Sequence, residues 1–215
     1  MPTYLDLESW PRREQFHFFR EYDNPFFNVC VQMDVAALRQ LPRERAPFFL
    51  TYHYLALKAA NEVAPFRYRL RGDRVLVHDT IHIGTTILLD DGERFGFCYF
   101  DWDDDFSRFA AQGKAALDAL RSSDGRLEPR KDRDDLIHGS VLPWISFTSF
   151  AHARKKDPED SVPKIVFGKV FQDRMPVSVE VHHALMDGVH VGRFLERLQG
   201  YFADPAPALG IRSAP

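Results

Sequence analysis

Pro176-Val-Ser-Val-Glu-Val-His-His-Ala-Leu-Met-Asp-Gly-Val-His190 is the stretch that decides how this chain folds. Val177, Val179, Val181 and His183 share one face of an extended segment, and Ser178, Glu180 and His182 share the other. His183 therefore stands at the end of an apolar row, partly desolvated and able to be held in one tautomer. A neutral imidazole so placed can take a proton from a hydroxyl and return it later. Asp187 follows four residues on, just before Gly188 and an amphipathic helix carried by Val191, Phe194, Leu195, Leu198 and Phe202. Aspartate is a favoured helix cap and Gly188 permits the tight turn, while the same carboxylate can form an ion pair beside His183. The two roles are compatible.

That extended segment reads as a strand over 177–183, with two more at 144–150 and 164–171 and earlier ones at 27–35, 74–78, 81–89 and 95–100. Arg71-Gly72-Asp73 and Asp90-Asp91-Gly92 are turn signals, so the three runs between 74 and 100 are expected to be antiparallel neighbours. Ser9-Trp10-Pro11 predicts a short helix with Ser9 as its cap and Phe16 and Phe19 on one side. Residues 47–63 are apolar almost all round, as in a core helix, and 103–121 regains helical spacing through Phe106, Phe109, Leu117 and Leu120. The charged stretch 122–140 lacks periodicity and reads as a surface loop. Helices placed early, in the middle and last, with most strands consecutive, predict an α/β two-layer sandwich whose mixed, largely antiparallel sheet is covered by helices.

A chain of 215 residues suits one domain spanning 1–215, with a net charge of -3 that supplies no broad basic surface for nucleic acid. No apolar run is long enough for a bilayer, the N-terminus lacks a secretory pattern, and the two cysteines, Cys30 and Cys98, match no zinc or redox spacing. A cytoplasmic protein without a metal centre is the expectation. The 19 phenylalanines can fill a core or line a pocket.

The string His182-His-Ala-Leu-Met-Asp-Gly188 resembles the His-His-x-x-x-Asp-Gly signature of CoA-dependent acyltransferases. With its flanks, and with Trp10-Pro-Arg-Arg-Glu-Gln-Phe16 and Leu142-Pro-Trp-Ile-Ser-Phe-Thr-Ser-Phe150 at matching distances, it is similar to the chloramphenicol acetyltransferase family over nearly the whole chain. The resemblance implies acetyl-CoA as co-substrate, a small hydroxylated acceptor such as chloramphenicol, and a homotrimer with sites between subunits. It implies His183 as general base, Ser149 as oxyanion donor, and an Arg12–Asp187 ion pair bracing the loop behind the base; no metal is required. Strand alternation would set the Ser149 hydroxyl among Ile145 and Phe147. His182 and His190 are read as structural.

Where family enzymes that use chloramphenicol carry a tyrosine, a leucine and often a cysteine, this chain has Phe19, Asp23 and Pro25, and Val166 stands in place of an ordering threonine. The loop from Lys169 to Pro176 is also shorter. Phe18, Phe19, Phe147 and Val166 are candidate acceptor-binding residues, with plain core as the alternative for the phenylalanines. Three functions follow: acetylation of chloramphenicol, acylation of a different alcohol by the same machinery, or a non-catalytic binding protein of the same fold.

Overall fold

The apolar row of 177–183 becomes the spine of the molecule in the computed structural model, which describes residues 2–125, 127–130, 132–155 and 157–211. Strand β9 (Arg174–His182) is buried from Met175 to its end. It lies between β2 (Phe26–Asp34) and β8 (Lys164–Gly168), antiparallel to both. The six-stranded sheet continues through β7 (Leu136–Leu142), β5 (His82–Leu88) and β6 (Phe95–Phe100), in the order β2-β9-β8-β7-β5-β6. β7 is parallel to both β5 and β8, and β6 is antiparallel to β5, so the sheet is mixed as expected.

One sheet face is apolar because Val177, Val179, Val181, Ile165, Phe167 and Ile83 all project from it and are fully buried. Burying each such side chain contributes about 1.5–3 kcal/mol, enough to bind the helical layer firmly. That layer consists of α2 (Ala36–Gln40), α3 (Phe48–Asn61), α4 (Phe106–Arg121) and α5 (Gly188–Ala203), followed by the short α6 (Pro205–Leu209). α3 is buried on most sides, as its composition predicts. Asp105 caps α4 by accepting from the Arg108 N–H. The opposite sheet face is polar and carries Asn28, Gln32, Ser178 and Glu180, with Ser178 Oγ donating to Asn28 Oδ1 at 2.9 Å.

Several expectations need correction. The segment 144–150 is not a strand: after a turn at Pro143 and Trp144 it crosses the polar sheet face instead of joining an edge. Its carbonyls serve other partners there, Ile145 O accepting from Lys169 N–H and Phe147 O from Gln32 Nε2. The strand between β5 and β8 is β7, hidden at the end of the stretch read as loop. Gly139 interrupts its apolar pattern, because a Cβ there would come within 3.0 Å of Thr85 Oγ1. Residues 74–77 do not pair with β5 either. They form β4 (Arg74–Val77) of a second sheet with β1 (Thr3–Tyr4) and β3 (Tyr68–Arg71). Arg69 fastens this sheet to the main one: fully buried, it donates to the carbonyls of Phe66, Tyr68, Asp134 and Leu136, following the 3₁₀ turn at Ala64–Arg67. Helix α1 (Arg13–Arg20) begins later than Ser9, whose hydroxyl binds Asp6 Oδ2 at 2.7 Å instead of capping it. Gln172 and Asp173 take left-handed conformations in the tight turn before β9, the geometry that closes a two-residue hairpin.

Burial of imidazoles in this core makes stability pH-dependent. His53 is fully buried in α3, with Nδ1 2.8 Å from Phe49 O, and burial pushes it down to about 4. The unfolded chain takes up that proton below about 6.5 while the folded one resists it. Stability is therefore fully present above that value and lost as pH falls toward 4. Denaturant titrations at pH 7.5 and 5 should show the loss, and a smaller one in His53→Leu; equal losses in both proteins would exclude His53 as its source.

Candidate functional site

β9 ends at His182, and the His183 N–H donates to Pro25 O at 2.7 Å, so the register with β2 carries on to the histidine. The His183 ring stacks on Phe19, 3.7 Å between centroids and 7° from parallel, and meets Phe27 at 4.7 Å. Its Nδ1 lies 2.9 Å from Asp187 Oδ1, with an approach too oblique for a hydrogen bond, so the contact is electrostatic. The Nε2 atom makes no hydrogen bond among the described residues. The ring is thus clamped on two sides and faces a carboxylate at one nitrogen, leaving the other for a ligand.

Arg12 organises the turn that follows. Its Nε donates to Asp187 Oδ2 at 2.9 Å, and Nη2 lies 2.9 Å from Oδ1. Nη1 donates to Ala184 O at 3.2 Å and Nη2 to His183 O at 3.1 Å. One guanidinium therefore holds both the carboxylate and the two carbonyls of the loop behind the imidazole, which a lysine could not do. Asp187 also opens α5, its N–H donating to His190 Nδ1 at 2.9 Å. Replacing Arg12 with valine should cost about 1–3 kcal/mol, since the pair is only partly screened by solvent, and should lower any activity that depends on His183. Unchanged melting and kinetics in that variant would remove the bracing role.

His182 faces the other side of the sheet, edge-on to Phe26, with Nδ1 accepting from Ala184 N–H at 3.2 Å. Burial, aided by the cations of Arg20 and Arg154, pushes it down to about 4, so it stays neutral and structural.

A cavity of about 1680 Å³ opens at the carboxyl ends of the parallel strands β5, β7 and β8, the usual place for a ligand in such sheets. Thr86 and Ser140 line it, their hydroxyl oxygens 3.1 Å apart, with Tyr52, Phe95 and Trp144 among the apolar walls. Arg43, Arg45, Lys114, Arg121 and Lys169 also line it, against one acid, Glu44. Met175, at the start of β9, belongs to this cavity, whereas His183 follows the other end of the strand. Eight residues of extended chain separate them by about 26 Å. Base and cavity do not meet within one chain.

The other expected site residues are dispersed. Ser149 is exposed on the segment over the polar face and takes no part in the cavity lining, not set among apolar side chains as strand alternation would have it. Phe147 is buried on that same face, and Val166 is wholly buried between Ser140 and Ser178 in the sheet. Phe19 abuts the base, and Phe18 is 56% exposed beside it. Ser140 was not anticipated, because it lies in the stretch read as loop; the alternation of Ile137, Gly139 and Val141 with His138 and Ser140 is the signal that locates it. Among the described residues no three metal-binding side chains cluster, and no helix is long and apolar enough to cross a membrane.

Comparison with known proteins gives a consistent result. The chloramphenicol acetyltransferase family model matches residues 2–199. A chloramphenicol acetyltransferase 2 of Escherichia coli is 32% identical over 203 residues, covering 92% of this chain and 95% of that protein. A chloramphenicol acetyltransferase of Proteus mirabilis is 28% identical over 202 residues, with 92% and 93% covered. A solved chloramphenicol acetyltransferase superposes with a TM-score of 0.83 at 31% identity, covering 94% of this chain and all of its own. The dihydrolipoamide acetyltransferase of Azotobacter vinelandii, at 19% identity, TM-score 0.60 and coverage of 91% and 88%, shares the fold.

Proposed function

The chain belongs to the chloramphenicol acetyltransferase family, a family of acyltransferases, and from that membership we propose that it moves an acetyl group from acetyl-CoA to a hydroxyl of chloramphenicol, with His183 as general base. The observation that carries this reading is the setting of His183: stacked on Phe19, held against Phe27, with Asp187 at Nδ1 and Nε2 unengaged. In the proposed step the acceptor O–H gives its proton to Nε2 as its oxygen attacks the thioester carbonyl. The tetrahedral oxyanion then collapses, the C–S bond breaks, and the departing CoA thiolate recovers the proton from His183. Asp187 offsets the positive charge the imidazole carries in between.

Separation of base and cavity along β9 supports an active site shared between copies, the base of one chain serving the cavity of its neighbour, with the trimer implied by the family. The cations around the cavity suit the phosphates of CoA. The oxyanion donor is drawn from two hydroxyls. Ser149 is favoured by the motif, but Ser140 lines the cavity beside Thr86 and Ser149 does not, so we assign the donor to Ser140. Two unpaired cysteines fit a cytoplasmic setting.

A second acceptor is favoured by departures from the family pattern: Phe19, Asp23 and Pro25 stand where chloramphenicol-using members carry a tyrosine, a leucine and often a cysteine, Phe19 stacks on the base, and Val166 brings methyl groups where a hydroxyl is usual. Purified protein given acetyl-CoA and chloramphenicol should yield the acetyl ester, identified by mass spectrometry. An ester formed only with another alcohol would move the acceptor and keep the chemistry. No ester from any alcohol tested would contradict the reading.

A further inference from the structure

Behind the loop that carries the base lies a second cleft, of about 440 Å³, between Trp10, Arg12 and Tyr68 on one side and His190, Arg193 and Arg197 of α5 on the other, with Glu62 at its edge. We propose that this cleft binds a small oxyanion of the phosphate class, and that its occupancy is coupled to the base loop through Arg12.

The lining is rich in donors and poor in free acceptors. Glu62 is already engaged, accepting from Tyr201 Oη at 2.6 and 2.8 Å and lying 3.2 Å from Lys58 Nζ and 3.3 Å from Arg197 Nη1. Asp187 is held by Arg12. His190 Nδ1 accepts from the Asp187 N–H, so the proton of the neutral ring sits on Nε2, which becomes a donor. The Arg193 side chain makes no hydrogen bond or ion pair among the described residues. The cleft thus keeps positive charge that nothing on the chain neutralises, and burial together with the cations of Arg12 and Arg193 holds His190 below the usual imidazole range. The unpaired Arg193 guanidinium and the His190 imidazole N–H, lining the cleft with Arg12 and Arg197, match the several acceptor oxygens of a phosphate. The volume exceeds what an inorganic ion fills, and the Trp10 and Tyr68 rings offer an apolar wall to an organic substituent.

Coupling follows from Arg12, which lines the cleft and holds Asp187, Ala184 O and His183 O at once. An anion that binds best when Arg12 is in place stabilises the braced loop, and by reciprocity the braced loop strengthens anion binding.

The test is calorimetric titration of the intact protein with inorganic phosphate, against chloride at equal ionic strength. The main cavity also carries cations, so two variants are compared. Arg193→Gln should weaken phosphate binding about tenfold or more, as expected for loss of a charged hydrogen-bond donor, while melting without phosphate stays near wild type because Arg193 has no partner to lose. Lys169→Gln, at the main cavity, should leave the Arg193-dependent phosphate binding within about twofold of wild type. Phosphate binding abolished by Lys169→Gln but kept by Arg193→Gln would assign the anion to the main cavity and overturn the proposal, as would no saturable binding to the wild type. Arg12→Lys, which keeps the charge but not the fork, should weaken phosphate binding as well; unaltered binding there would break the link to the base loop.

Discussion

Replacing His183 with alanine is expected to lower acetyl transfer by about 10²–10⁴-fold, the usual contribution of a positioned general base. The same variant should bind CoA much as the wild type does, because in the proposed step the imidazole takes the acceptor's proton and does not hold the CoA phosphates. Stability should change little: the ring is about one-third exposed, and its loss removes a stacking contact with Phe19, a contact with Phe27 and the approach to Asp187, which Arg12 still holds. Steady-state kinetics and a CoA titration on one preparation separate the two effects. Turnover near the wild-type rate would take the base role from His183, and lost CoA binding would mean that the histidine shapes the cavity after all.

Ser140→Ala should lower kcat by about 10²–10³-fold with little change in KM, since an oxyanion donor acts on the transition state and not on the bound substrates. Ser149→Ala, an exposed position outside the cavity lining, should stay within about twofold of wild type. The comparison decides between motif and geometry: a large effect at Ser149 and none at Ser140 would return the donor role to Ser149. Thr86 should matter less than Ser140, its hydroxyl serving to orient a neighbour 3.1 Å away.

The parts of the fold legible in the sequence were those whose side chains repeat with a clear period. β9 and α5 could be read because valines at every second position and apolar residues at helical spacing leave one solution each. β7 could not, since it is buried between two parallel neighbours and needs a glycine where Thr85 packs against it. The 144–150 segment misled for the opposite reason: its apolar residues suggest a strand, but only Phe147 is buried, Trp144 and Ile145 stay exposed, and the segment joins no sheet edge. At the site, spacing put His183, Asp187 and Arg12 within reach of one another because a tight turn and a helix start join the first two, and the motif supplied the third. The cavity had no such signature. Its lining comes from the ends of strands and helices far apart in the chain, and only their packing brings Ser140, Thr86, Phe95 and Lys169 to one space.

The base of one copy is proposed to work in the cavity of another. Subunit mixing tests it most directly: inactive His183→Ala and Ser140→Ala chains are denatured together, refolded, and assayed for acceptor-dependent thiol release from acetyl-CoA. Recovery of activity in the mixture, absent from either variant refolded alone, is the predicted result, because some interfaces then join an intact His183 to an intact Ser140. A mixture as inactive as its components, while wild-type protein treated the same way regains its rate, would contradict a shared site.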